Sequence, residues 1–274
     1  MKGNDMELMK RHREEASMIA EDLKKDESVV GVVLLGGAAR GFVDEFSDLD
    51  IGIFFAGEYS GLMAGEHRYN GLDLDVMLFD YGHSLSSAWS HAQRQAFQES
   101  KILFDRNGEL GALIKDKLVY SMEERLSDML DLIMRLQWRG FKPEKIKIPG
   151  DYDESLPYDL MAKRGCTACS HFDVNESLDL AVQLLYSFNH EFIPDHKWRL
   201  NNSFKLKWTP KNYKSRVSNI IRCVSVDKSE LKRRAEVLNG LLTDILAKIQ
   251  LDREIPENGY EIFLKLSNEY NPRQ

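Results

Sequence analysis

The segment LLGGAARGFVDEFSDLDIGIFF, residues 34 to 55, constrains the chain more than any other. A hydrophobic run stops at Gly36 and Gly37, ten residues intervene, and Asp48 and Asp50 then open a second hydrophobic run. SVVGVVLLGG (28–37) is short, β-branched and glycine-ended, which predicts a buried strand. SDLDIGIFF (47–55) predicts another, with Leu49, Ile51 and Ile53 on one face and Asp48, Asp50 and Gly52 on the other. After a glycine-bearing loop, GLDLDVMLFD (71–80) alternates again: Leu72, Leu74, Val76 and Leu78 against Asp73, Asp75 and Met77. Packing gives no reason to put two aspartates at the mouth of a strand. The competing explanation is an acidic turn that happens to precede one.

Glycines at a strand end let the backbone turn sharply and approach a ligand closely, and the amides that follow can face an anion. Asp48 and Asp50, at i and i+2, project both carboxylates to one face. Adjacent like charges are costly unless protons or cations compensate them. A divalent ion such as Mg²⁺, taking carboxylate and phosphate oxygens, is the natural compensation. A third carboxylate on the next strand, Asp75 or Asp73, would complete the cluster. Asp75 is preferred because it lies deeper in its strand. Two such ions could hold a nucleoside triphosphate and activate a hydroxyl for in-line attack on phosphorus.

The strand ending in Gly36-Gly37, the Arg40-Gly41 step, Ser47-Asp48-Leu49-Asp50 and an aspartate on a later strand together resemble the DNA-polymerase-β-like nucleotidyltransferase superfamily. The likeness covers about residues 28 to 80. This chain has glycine in the second glycine place, where serine is more common in the superfamily, so phosphate contact there falls to backbone amides. The resemblance implies that Asp48 and Asp50 bind the metals, that Asp75 ligates one and serves as, or sits beside, the base, and that Gly36 and Gly37 cradle the triphosphate. The helical second half, with YSFNHEFIPDHKW (186–198), resembles the antibiotic nucleotidyltransferases of the aminoglycoside and lincosamide types.

Around this centre the sequence divides in two. Residues 5–25 suit an amphipathic helix carrying Met6, Met9, Ile19 and Leu23. Residues 84–104 suit a helix and a short closing strand, KILFD. From residue 109 the pattern is helical: ELGALIKDKLVYSMEERLSDMLDLIMRLQWRG, ESLDLAVQLLYSFNHEF, and SELKRRAEVLNGLLTDILAKIQ with Ser229 as its expected cap. Residues 141–159, with three prolines, predict a loop. The expected class is α+β: a small mixed-sheet α/β domain over 1–108 and an all-helical, substrate-binding domain over 109–274, with the active site in a cleft between them.

Further candidates are weaker. Arg40 is expected either to contact phosphate or to pair with Asp44 or Glu45. Ser47 is a nucleotide-binding candidate but is expected chiefly to cap the turn before Asp48. Lys197 could reach a β- or γ-phosphate as a point charge, with Trp198 and Tyr186 as apolar walls, whereas His190 and His196 read as surface groups. Asp173 and Glu176, on a helix with Arg164 nearby, could bind a cationic acceptor or act as a supplementary base. Cys166-x-x-Cys169 lacks the further ligands of a zinc site and a clear helix-start setting for redox work, so structural cysteines are expected.

The chain has 274 residues, three cysteines and a net charge of −7. The acidic balance argues against a dedicated nucleic-acid binder, and the sparse cysteines suggest a reducing compartment. No stretch approaches the roughly 18 apolar residues of a membrane span, and the N-terminus lacks an apolar signal core. A cytoplasmic enzyme is expected, with no membrane partner. It would be Mg²⁺-dependent, using ATP or another NTP and a small-molecule hydroxyl acceptor, and releasing pyrophosphate. A homodimer is suggested by analogy alone. The rival readings are a protein-modifying, antitoxin-like transferase and a nucleotide sensor that binds without transferring.

Overall fold

The computed structural model describes residues 3–142, 157–259, 261 and 264–265. Contacts divide the chain into two compact units, Met1–Val119 and Tyr120–Gln274, and the architecture is α+β.

The first unit runs α1 (Gly3–Leu23), β1 (Val29–Leu34), α2 (Gly36–Arg40), β2 (Leu49–Phe55), β3 (Gly65–Tyr69), β4 (Leu72–Asp80), α3 (Tyr81–Ser86), α4 (His91–Gln98), β5 (Lys101–Asp105) and α5 (Glu109–Lys117). Its five strands lie in the order β3-β4-β2-β1-β5. β2 and β4 are parallel, and every other neighbouring pair is antiparallel. Met9, Ala16, Ile19 and Ala20 of α1 pack with Leu49, Ile51, Ile53, Leu74 and Val76 on one face of the sheet. On the other face Val33 and Phe54 meet Trp89, Phe97, Leu110, Leu113 and Ile114. Covered on both sides, β1 is buried along its whole length, which is why it reads as a continuous apolar run rather than an alternating one.

Two expectations need adjusting here. Met6 is exposed rather than on the inner stripe of α1. α5 sends Leu110, Leu113 and Ile114 into the sheet's own core and so belongs to the first contact unit, Met1–Val119. The glycine-bearing loop holds a strand, β3, paired antiparallel to β4 from Gly65↔Val76 to Tyr69↔Leu72. Its sequence, GEHRY, has no apolar alternation because it is a largely exposed edge. The signal for it lay in Asn70-Gly71, both at positive φ, the pair that a two-residue hairpin turn demands.

The second unit holds α6 (Met122–Trp138), α7 (Leu160–Lys163), α8 (Thr167–Phe188), α9 (His196–Ser203), α10 (Tyr213–Ile221) and α11 (Lys228–Leu251). Its core is built chiefly from α6, α8 and α11, with Met129, Leu136, Val174, Leu184, Leu238 and Leu242 among its buried side chains. The helical run expected from residue 109 is broken before α6, where Ser121 caps the new helix by accepting from Glu124 N–H. Most of the loop expected at 141–159 lies outside the described residues.

Cys166 and Cys169 are joined as a disulfide, and Cys223 is free and exposed. The pairing departs from the expectation of a chain without disulfides. α8 starts at Thr167 with Cys166 as its N-cap, so a separation of three residues puts both sulfurs on one turn. Within α8 and α11, Arg234 is almost fully buried yet satisfied: it donates to Ile220 O at 2.6 Å, to His171 Nδ1 at 2.8 Å and to Asn175. Glu230, bonded by Arg233, is held down to about 2.

The cap of α11 is Asp227 rather than Ser229; its carboxylate accepts from Ser229 N–H at 2.8 Å and Glu230 N–H at 2.9 Å. A carboxylate carries more charge than a hydroxyl to the positive end of a helix, so it takes the cap. Hydrogen bonds from Ser225 and Ser229, then the helix amides, hold this carboxyl well below its ordinary value. A depressed carboxyl contributes stability that is present above its unfolded value and lost as pH falls through the folded one. Asp227→Ala should therefore lower the melting temperature at pH 7, and the gap from wild type should narrow below about pH 4. Parallel thermal melts across that range measure it.

Candidate active site

Three segments converge at one end of the sheet: the exit from β1, the entry to β2 and the entry to β4. β1 runs antiparallel to β2, so its last residue, Leu34, stands opposite Ile51, and Leu35 N–H donates to Asp50 O at 3.0 Å. Gly36, the next residue, has φ +60 and lies against the Asp50 carboxylate. A β-carbon at position 36 would occupy the space the carboxylate fills, so the residue is glycine for two reasons, conformation and room. Gly37 is similarly constrained: a β-carbon there would come within 2.5 Å of Phe42 O. The backbone then makes the short helix α2 and returns through residues 41–48.

The parallel register of β2 and β4 sets Asp50 directly beside Asp75 and Leu49 beside Leu74. Neighbouring strands lie about 4.8 Å apart, and paired residues point to the same face. Asp50 and Asp75 thus form a same-face carboxylate pair, with Asp48 two residues before Asp50, just outside the strand. Asp48 is exposed and Asp50 partly so. Asp73 is two residues upstream in β4, exposed, and engaged at 2.5 Å by Arg68 of β3. One cation therefore serves Asp73, while the register couples Asp75 to Asp50. Three carboxylates at the open end of a sheet, beside a glycine turn with no β-carbons, are a donor set suited to hard divalent ions with oxygen ligands.

The remaining candidates have neighbours of their own. Arg40 pairs with Glu99 at 3.2 Å, because α2 aims its last residue at the C-terminal cap of α4. Ser47 closes the turn before Asp48: its Oγ accepts from Asp44 N–H at 3.0 Å and donates to Asp44 Oδ1 at 2.9 Å. Lys197 belongs to the helical unit, in the first turn of α9, with its ammonium over the Trp198 ring. Tyr186 is buried and donates to Arg199 O at 2.8 Å, so it is part of the helical core rather than an open wall. His190 and His196 are exposed. Asp173 and Glu176 are met by Arg139, the C-cap of α6, at 3.2 Å and 2.5 Å, rather than by Arg164. Arg135, Arg139, Glu176, Asp179 and Gln183 line a shallow polar cavity of about 290 Å³ whose charges largely neutralise one another.

One residue beside the site escaped the sequence reading. His12 of α1 is 1% exposed, with Nδ1 2.8 Å from Leu8 O and Nε2 3.3 Å from Ser47 O. A signal existed: His12 sits three residues after Met9 and four before Ala16, a polar side chain on the buried stripe of the helix.

The fold and the site together define a class. Residues 16–106 match the family described as the nucleotidyltransferase domain, a span that takes in β1 to β5, both glycines and all three aspartates. The first unit is a nucleotidyltransferase domain of the DNA-polymerase-β-like superfamily, and the chain is a nucleotidyltransferase. A solved structure of a nucleotidyltransferase-like protein from Exiguobacterium sibiricum 255-15 aligns with a TM-score of 0.49 at 14% identity, over 95% of this chain and 80% of that one. No curated protein matches the chain in sequence.

Because position 36 combines positive φ with contact to Asp50, Gly36→Ala should cost about 1–3 kcal/mol of stability and displace the Asp50 carboxylate. Urea unfolding measures the first effect. A larger loss of turnover than the stability change explains would register the second.

Proposed function

We propose that this nucleotidyltransferase moves a nucleoside monophosphate from an NTP to a hydroxyl of a small-molecule acceptor and releases pyrophosphate, with divalent ions, Mg²⁺ foremost, held by Asp48, Asp50 and Asp75. The observation that carries this reading is the register that sets Asp50 beside Asp75, at the end of the sheet where Gly36 makes room for the Asp50 carboxylate. Clustered carboxylates of this kind repel one another, and a bound cation turns that cost into affinity.

In the proposed reaction Gly36 and Gly37, without side chains, let the triphosphate approach the backbone. Asp48 and Asp50 hold the ions, which when bound neutralise charge on the transferring and leaving oxygens. Asp75 helps hold one and stands where the proton of the attacking hydroxyl can pass to its carboxylate oxygen. The acceptor oxygen forms a bond to the α-phosphorus as the bond from that phosphorus to the bridging oxygen breaks, and pyrophosphate leaves. Alignment of these atoms supplies much of the rate. Arg40, held at the edge of the turn by Glu99, and Ser47, through its hydroxyl, are proposed as further nucleotide contacts. The net charge of −7 favours a small acceptor over a nucleic acid. Among the described residues no helix is long and apolar enough to cross a membrane.

Thermal melts with ATP, GTP, CTP and UTP, each with and without Mg²⁺, test binding. Ligand at 100 times its Kd adds about 2.7 kcal/mol, a rise of about 5–11 °C at the roughly 2–4 °C per kcal/mol of a chain this size. The shift should require both nucleotide and metal. Asp48→Asn and Asp50→Asn should keep the melting temperature of the free protein and lower Mg²⁺-dependent release of pyrophosphate by at least about 100-fold. With α-labelled NTP, label is expected on a small molecule. Label on protein would overturn the acceptor class, and full activity of the double variant would overturn the site.

A further inference from the structure

The three carboxylates are not held alike. Asp50 is inside the sheet, its carbonyl bonded by Leu35 N–H and its backbone in register with Asp75. Asp75 lies within β4, paired on both sides, to Asp50 and to Glu66. Asp48 has no such support. It precedes the first residue of β2, is exposed, and follows the turn 44–47. Its direction therefore depends on the peptide that joins it to Ser47.

That peptide is gripped from the helix behind. The carbonyl oxygen of Ser47 faces His12 Nε2 at 3.3 Å, and the other ring nitrogen faces Leu8 O at 2.8 Å. Carbonyl oxygens accept hydrogen bonds and cannot donate them, so a ring nitrogen that bonds Ser47 must carry a hydrogen, and the two contacts are hydrogen bonds together only when both ring nitrogens carry one. With the ring 99% shielded from solvent, no bulk water takes over the role. Ser47 is already fixed on its other polar atoms, its N–H donating to Asp44 O at 3.2 Å and its hydroxyl exchanging bonds with Asp44. A planar peptide whose carbonyl is tethered passes its orientation directly to the next α-carbon, and that α-carbon carries the Asp48 carboxylate.

We infer that His12 is a positioning residue: by donating from Nε2 to the Ser47 carbonyl it aims Asp48 at the metal and triphosphate that the proposed function places there. The inference rests on that reading for its purpose, though not for its geometry. It also reaches outside the matched domain segment, which begins at residue 16. The helix that covers the sheet thus does more than bury apolar surface, since it sets one of the three ligands.

Substitution at position 12 separates donation from packing. Glutamine reproduces the reach of Nε2, asparagine reproduces that of Nδ1, and leucine fills the space without a donor. His12→Gln should bind Mg²⁺ with a non-hydrolysable NTP analogue within about threefold of wild type by calorimetry. His12→Asn and His12→Leu should bind it about 10- to 100-fold more weakly, the usual effect of removing a group that orients a metal ligand. A packing role predicts the reverse, with leucine the best replacement, and that order would overturn the inference. Two further readings need no nucleotide. The ¹⁵N resonances of the His12 ring in the wild-type protein should show hydrogen on Nε2, and a bare Nε2 would overturn the inference. Amide hydrogen exchange at Asp48 should accelerate in the asparagine and leucine variants and not in the glutamine variant. Equal exchange in all of them would also count against it. Should wild type bind no Mg²⁺–nucleotide while the exchange pattern holds, the proposed function fails and the tether stands.

Discussion

Like charge held at close quarters is the constraint on which the rest of this molecule depends. Two parallel strands in register put Asp50 and Asp75 on one face at a single strand spacing, with Asp48 two residues away. Such an arrangement opposes folding unless the surrounding structure supplies room and a cation supplies charge. Room comes from Gly36, whose absent β-carbon is the space the Asp50 carboxylate occupies. The stiffness to hold the arrangement comes from a sheet covered on both faces, by α1 on one side and by α4 and α5 on the other. Carboxylates gathered in this way suit the divalent ions of the proposed function, and the packed cores above and below hold them in place.

Support for the three carboxylates comes from different sources. Backbone ladders fix Asp50 and Asp75, whereas Asp48 stands where the ladder has not yet begun. The turn before it is tied by Asp44 and Ser47, and His12 reaches the carbonyl of that turn from α1. Orienting groups matter at metal sites because a misdirected ligand costs affinity at every ion it shares. Arg68 performs a complementary service by engaging Asp73, which leaves the coupling with Asp50 to Asp75.

In the helical unit, charge is managed by pairing rather than concentrated. Arg139 meets both Asp173 and Glu176, Arg199 meets Asp179, and Arg234 is buried with three partners. Groups so engaged hold helices in place, and a ligand that displaced them would first have to break those bonds. The acidic pair on α8 that looked open to a cationic acceptor is therefore already served by a neighbouring helix.

Much of this was legible in the residues. The β-branched run into Gly36 and Gly37, the alternation through Asp48 to Phe55 and again through Asp80, and the change to helical periodicity in the second half were all local patterns, set by side-chain direction along a strand or around a helix. Asn70-Gly71 belonged to the same class of signal, and the edge strand it announces was overlooked because GEHRY has no apolar face. Partners remote in sequence were another matter. Local pattern could say that Asp48 and Asp50 share a face, but the choice between Asp73 and Asp75 as the neighbour of Asp50 required the register of two strands. Arg40 finding Glu99, Arg139 finding Asp173, and His12 finding Ser47 all depend on elements brought together from 34 to 59 residues apart. A sequence determines which groups each element presents and to which side. Which groups then meet is decided by how the elements pack, because hydrogen bonds and ion pairs act over a few ångströms whatever their separation along the chain.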